Sequence, residues 1–144
     1  MSRIVEIARK EIGYIEKPIN DTKYGRWFGL NFLPYCGIFV SWVYDKAGKP
    51  LGNIGYLKGF AGCQTAVKYF REKGKVTDNP IEGDIVFFDW QGDGKHDHTG
   101  IFVRWINENT FESIEGNTSL KNQSNGGEVM LRERNIKHAL FVHP

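Results

Sequence analysis

Cysteine is nearly absent from these 144 residues: there are two, Cys36 and Cys63, and no C-x-x-C pair. Two such thiols cannot make a metal cluster by themselves. A disulfide between them is possible on parity, but without a secretory signature free thiols are the default. No apolar run approaches the roughly 20 residues that a membrane span needs. The N-terminal "MSRIVEIARKEIGY" mixes charge throughout and has no apolar centre, so it is not read as a signal peptide. Synthesis in the cytoplasm, followed by retention or by release through other means, is the expectation. Nor does one sign of charge dominate. Nineteen basic against seventeen acidic residues leave +2, which gives no strong attraction to nucleic acid or membranes. The basic stretch "MLRERNIKH" is interrupted by Glu133 and reads as a solvated strand face. There is no repeat, low-complexity tract or linker. What is present is a 40% hydrophobic and 14% aromatic composition, enough for one compact domain over residues 1–144 with a real core.

"SRIVEIARKEIG" predicts a first helix, with Ser2 as cap, Ile4, Val5, Ala8 and Ile12 on one face and Gly13 as the stop. A long loop rich in Pro, Asn, Asp and Gly follows, with one helical turn around Tyr24 to Phe28. Pro34 disfavours helix at Leu33, so the next helix starts at or just after Tyr35. It runs from Cys36 to Ala47, stops at Gly48, and is apolar on nearly all sides, as a central helix is. "CQTAVKYFREKG" predicts another helix. From there the pattern becomes β-branched and aromatic: "GDIVFFDW", "HTGIFVRWI", "TFESIEGN", "EVMLRER" and "HALFVHP" predict strands. Asn107 to Asn109 forms a hairpin turn between two of them. Helices first and strands afterwards indicate an α+β fold, N-terminal helices on a mainly antiparallel β-sheet.

Cys36 stands where a helix begins. There the unpaired N–H groups and the helix dipole favour a thiolate, the nucleophilic form; the alternative is a buried structural thiol. Cys63 is read as structural. A nucleophilic thiol needs a base, and His98 lies at the entrance of an apolar strand that can fix its ring. His96 sits in the looser "WQGDGKHD" loop. Both histidines also fit ordinary solvated loop positions. An imidazole base needs an orienting acceptor. Glu115 and Asn117, two apart in "SIEGN", share a strand face, and the short hairpin lays that strand beside the one begun by His98. Each is an ordinary strand-end polar residue when taken alone. "DWQGDG" partly fits the opening of a calcium loop, but Gly100 occupies the position of the closing glutamate. An Asp/Gly turn delivering His98 is the simpler account, and zinc held by Cys36, His96 and His98 would leave Glu115 without a role. No metal or cofactor is expected.

"PYCGIFVSWVYDKAG", "EGDIVFFDW", "DGKHDHTGIFV" and "SIEGNTS", in this order, resemble the CHAP domain family, the cysteine- and histidine-dependent amidohydrolases and peptidases. The resemblance spans nearly the whole chain. It implies a papain-like α+β fold, related to that of the NlpC/P60 superfamily. It also implies Cys36 as nucleophile, His98 as base, Glu115 as the acidic third member and Asn117 as an assisting polar residue. Relatives of this kind, many of them phage endolysins or virion-associated lysins, cleave bacterial peptidoglycan. They do so either as N-acetylmuramoyl-L-alanine amidases or within the peptide and cross-bridge. The expected partner is therefore cell-wall peptidoglycan, met after release or as part of a virion, by a monomer with no nucleic-acid or membrane partner. Tyr35 stands where the family often has Trp, and "NFLPY" replaces a turn that often contains Gly. Tyr35, Trp27 and Trp90 are candidate groove walls for sugar or peptide. The competing readings are a γ-D-glutamyl peptidase of NlpC/P60 type and a catalytically silent wall-binding or virion structural domain.

Overall fold

Ser2 accepts the Val5 N–H and starts α1 (Arg3–Lys10), which buries Ile4, Val5 and Ala8. Ile12 falls beyond the C-cap Glu11 and is exposed, so it does not continue that face. Thr22 caps α2 (Lys23–Phe28) by accepting from Gly25, and the left-handed Gly29 ends it. α3 (Cys36–Lys46) begins directly after Tyr35, and α4 (Cys63–Glu72) follows Gly62. The chain was characterised as a computed structural model that describes residues 2–119, 121–122 and 125–144.

The strands are β1 (Val76–Thr77), β2 (Ile85–Phe88), β3 (His98–Trp105), β4 (Thr110–Thr118), β5 (Glu128–Asn135) and β6 (Ala139–Val142). They form one antiparallel sheet in the order β1-β6-β2-β3-β4-β5. The fold is α+β, as the sequence predicts, and among the described residues four α-helices precede a six-stranded sheet. The two-residue β1 and a 3-10 turn at Ile136–His138 were not anticipated, because both are too short to carry a periodic signal.

Alternation along the strands gives the sheet two apolar faces. Ile85, Phe87, Ile101, Val103, Ile114 and Val142 join the helices in the main core, and α3 packs against α1, α2, β3 and β4. A second cluster of Val86, Phe88, Phe102, Phe111 and Phe141 occupies the other face, with Trp90 packed on it. This central position of α3 is what sets its first residue against the start of β3. Among the described residues, no helix is long and apolar enough to cross a membrane.

Candidate active site

Tyr35 precedes α3 with φ −108° and ψ 17° and offers no side-chain cap. The N–H groups of the first turn are left without a capping oxygen, and the Gly37 N–H lowers the pKa of the Cys36 thiol. Gly37 is needed for packing as well. A Cβ there would lie 2.7 Å from the Ala61 carbonyl and 2.9 Å from the Phe60 ring. Ser41, one turn on, has its Oγ 3.0 Å from the carbonyls of Gly37 and Phe60 and accepts the Phe60 N–H at 3.0 Å. The segment leading into α4 is thus pinned along the start of α3. Cys36 and Cys63 are both free and buried, each at the first residue of its helix.

His98 is the first residue of β3 and fully buried. Its Nε2 lies 2.9 Å from Glu115 Oε1. Nδ1 is buried with no hydrogen-bond partner among the described residues, and Cys36 is a neighbour close enough to shift the titration of the ring. Glu115 reaches the histidine across Gly100. With Ile101 opposite Ile114, Gly100 falls beside Glu115, and a Cβ there would come within 2.6 Å of Glu115 Cγ. The missing side chain at residue 100 leaves the lane along which the carboxylate extends.

Glu115 is itself held from β5. Arg134 donates from Nε to Oε2 at 2.9 Å and from Nη2 to Oε1 at 2.6 Å, a two-pronged pair, and Ser113 Oγ donates to Oε2. The guanidinium lies 4.9 Å from the Trp90 ring centre, and Trp90 stacks on His98 at 5.3 Å. Arg134 was missed in the sequence, where its stretch reads as a solvated strand face. It is 7% exposed instead, because Phe88, Trp90 and Glu115 enclose it. A single arginine in a strand of alternating charge carries no local signal of this.

The electrostatics follow from these contacts. Burial alone would raise the Glu115 pKa, but the hydrogen bonds from Arg134 and His98, with their charges, override it and bring it down to about 2. Burial alone would depress His98. The neighbouring Cys36, the hydrogen bond with Glu115 and the negative charge of both reverse that and raise it to about 9. Cys36 is held well below the ordinary thiol range, chiefly by the neighbouring Cys63 thiol. Burial opposes this, and His98 and the Gly37 N–H add to it. The three shifts run in the direction of a thiolate facing an imidazolium, with a carboxylate behind the ring.

Other expected positions differ. Tyr35 is fully buried and stacked on Tyr24, so it is a core side chain and not a groove wall. Trp27 is half-buried beside Phe28, with Lys58 Nζ 5.1 Å from its ring centre. Of the three aromatics only Trp90 touches the Cys36–His98–Glu115 group, by its stack on the imidazole. Asn117 does not share a face with Glu115. A bulge interrupts the β4–β5 register between Glu115 and Thr118, and Asn117 adopts φ 58°. Its amide accepts from the Gly127 N–H and donates to Asn125. His96 is buried rather than loose, and burial lowers its pKa. The Asp89 carboxylate is occupied by the N–H groups of Gly92, Asp93 and Gly94, the turn that leads to His98. Among the described residues, no group of three or more His, Cys, Asp and Glu side chains is placed to hold a metal ion.

A helix-start thiol facing a sheet histidine on an α+β frame defines a class, and comparison with known proteins supplies the family. The sequence model of the CHAP domain matches residues 27–117, and the chain belongs to that family. Among solved structures, the crystal structure of the wild-type endolysin LysIME-EF1 is similar with a TM-score of 0.54 at 16% identity, over 99% of this chain. The chain spans 63% of the length of that endolysin chain. No curated protein matches it in sequence.

Proposed function

We propose that this chain is a cysteine-dependent peptidoglycan hydrolase that cleaves an amide bond of the bacterial cell wall, with residues 1–144 acting as one catalytic domain. Membership of the CHAP family and the endolysin-like fold support the hydrolase reading. The observation that carries the mechanism is the buried chain Cys36–His98–Glu115, braced by Arg134. In this reading the Cys36 thiolate attacks the amide carbonyl. The tetrahedral oxyanion is met by the backbone N–H of Cys36 at the uncapped start of α3. His98, as imidazolium, gives its proton to the leaving amine, and a thioester remains. Neutral His98 then takes a proton from water as the water attacks the thioester, which releases the acid and restores the thiolate–imidazolium pair. Glu115 keeps the ring oriented and stabilises its charge. Asn117 shapes the end of β4, and Trp90 forms the wall beside the imidazole. The same site serves an N-acetylmuramoyl-L-alanine amidase or a peptide or cross-bridge endopeptidase.

Cys36→Ala and His98→Ala are each expected to lower the rate of lysis of purified cell walls at least about a thousandfold, with far-UV circular dichroism unchanged. Lysis at the normal rate by the Cys36→Ala protein would overturn the proposal.

A further inference from the structure

A cavity of about 260 Å³ between α4 and the turn that leads into β3 has no part in the mechanism above. Gln64, Val67, Lys68 and Arg71 of α4 line it, with Gly94 and His96 from the turn. Its place follows from the elements that build the site. Gln64 directly follows Cys63, the first residue of α4, and His96 stands two positions before His98, the first residue of β3. Residues 64, 68 and 71 recur at helical spacing and share one face. Side chains on a helix lean toward its N-terminus, which for Lys68 and Arg71 is the Cys63 end. Val67 and His96 are buried and form the floor, whereas Gln64, Lys68 and Arg71 are exposed at the rim.

We infer that this cavity is a subsite for a carboxylate of the wall peptide, bound by Lys68 and Arg71 at the rim and by His96 at the floor while a nearby amide lies at Cys36. The inference rests on the peptidoglycan reading and names a part of that substrate. Charge points to an anion. Among the described residues two cations and no acid line the cavity, and neither Lys68 nor Arg71 is in an ion pair. Gly62 gives α4 no side-chain cap, so the N–H groups of its first turn add positive potential at the same end. His96 feels the charges of Arg71, Asp89, Asp97 and Asp93, but burial outweighs them and lowers its pKa. The neutral ring keeps one N–H to donate. The nearby acids are engaged elsewhere: Asp89 accepts from Gly92, Asp93 and Gly94, and Asp93 from the Lys95 N–H. Size points to a single charged group. Sites for whole small molecules run to roughly 300–1,000 Å³, and this cavity falls below that range. The anions that a peptide itself carries are carboxylates, and the arginine fork matches their geometry.

The test is lysis of purified walls by the unmodified protein and by the double variant Lys68→Gln with Arg71→Gln, with initial rates measured against wall concentration. Circular dichroism checks the fold, and the single variants carry the test if the double variant does not fold. Walls are used in three forms: as purified, after hydrofluoric acid has removed phosphodiester-linked polymers, and after carbodiimide coupling of their carboxylates to ethanolamine. On both forms with free carboxylates the apparent KM of the double variant is expected to be about tenfold above that of the unmodified protein, with kcat within about threefold. On the amidated walls the two proteins should share one high KM. An unchanged KM in the variant, or a tenfold gap that persists on amidated walls, would overturn the inference. A gap that closes once phosphate is removed would also overturn it and mark a phosphate site instead. Failure of the hydrolase reading is a separate result, namely no lysis by the unmodified protein or lysis that survives Cys36→Ala.

Discussion

Glu115 decides what the histidine can do. A buried imidazole alone would lose its proton easily, yet His98 is raised to about 9 by Cys36, by the Glu115 hydrogen bond and by the charge of both. Turnover that requires thiolate and imidazolium together rises with pH through the depressed Cys36 titration and falls as His98 deprotonates near 9. Glu115→Gln removes one of the two negative charges. The alkaline limb of kcat/KM is expected to move to lower pH, with the maximum rate reduced on the order of a hundredfold. A full pH–rate profile checks this, and an alkaline limb left in place would mean that Glu115 does not act through His98. Residues such as Cys36, His98 and Glu115 were legible because local grammar positions them: a proline-led helix start, a strand entrance, and the next strand after a short hairpin. Arg134 was not. Its contacts join elements far apart in sequence, and nothing in its own neighbours announces burial.

At the level of elements, two side-chain-free positions let helix and strands approach. Gly37 brings α3 against the Phe60–Ala61 segment, and Gly100 opens β3 to the Glu115 side chain. Gly100→Ala sets a methyl group against Glu115 Cγ and pushes the carboxylate off its path to His98. The variant is expected to lose about 1–3 kcal/mol of stability in denaturant unfolding and to lose turnover together with it. Normal turnover would show that the lane across Gly100 is dispensable. Helices α1 to α4 and five of the six strands could be read from periodicity, capping residues and β-branched runs. The bulge after Glu115 could not. It breaks the two-residue alternation that placed Asn117 beside Glu115, and it depends on pairing with β5, not on β4 alone. Tyr35 was misplaced for a related reason: its stack on Tyr24 comes from how α2 packs on α3.

Across the whole molecule, the carboxylate at the centre couples the site to stability. The folded-state pKa of Glu115 is about 2 against an ordinary 4.5, so its stabilisation is present above about 4.5 and is lost as pH falls toward 2. The thermal midpoint of the unmodified protein is expected to exceed that of Glu115→Gln at pH 6, where the variant leaves Arg134 facing an uncharged amide. The gap should narrow between pH 4.5 and 2. A gap independent of pH in calorimetry would place the ionised carboxylate elsewhere.

The most direct measurement is mass spectrometry of purified peptidoglycan digested by the unmodified protein and by Cys36→Ala. The expected result is new carboxyl and amino termini from one class of amide bond. Free N-terminal alanine on intact stems would mark an amidase, and termini within the peptide or cross-bridge an endopeptidase. Both should be absent from the Cys36→Ala digest. Cleavage confined to the glycan strand, or the same amide products from Cys36→Ala, would contradict a thiol-dependent amide hydrolysis at this site.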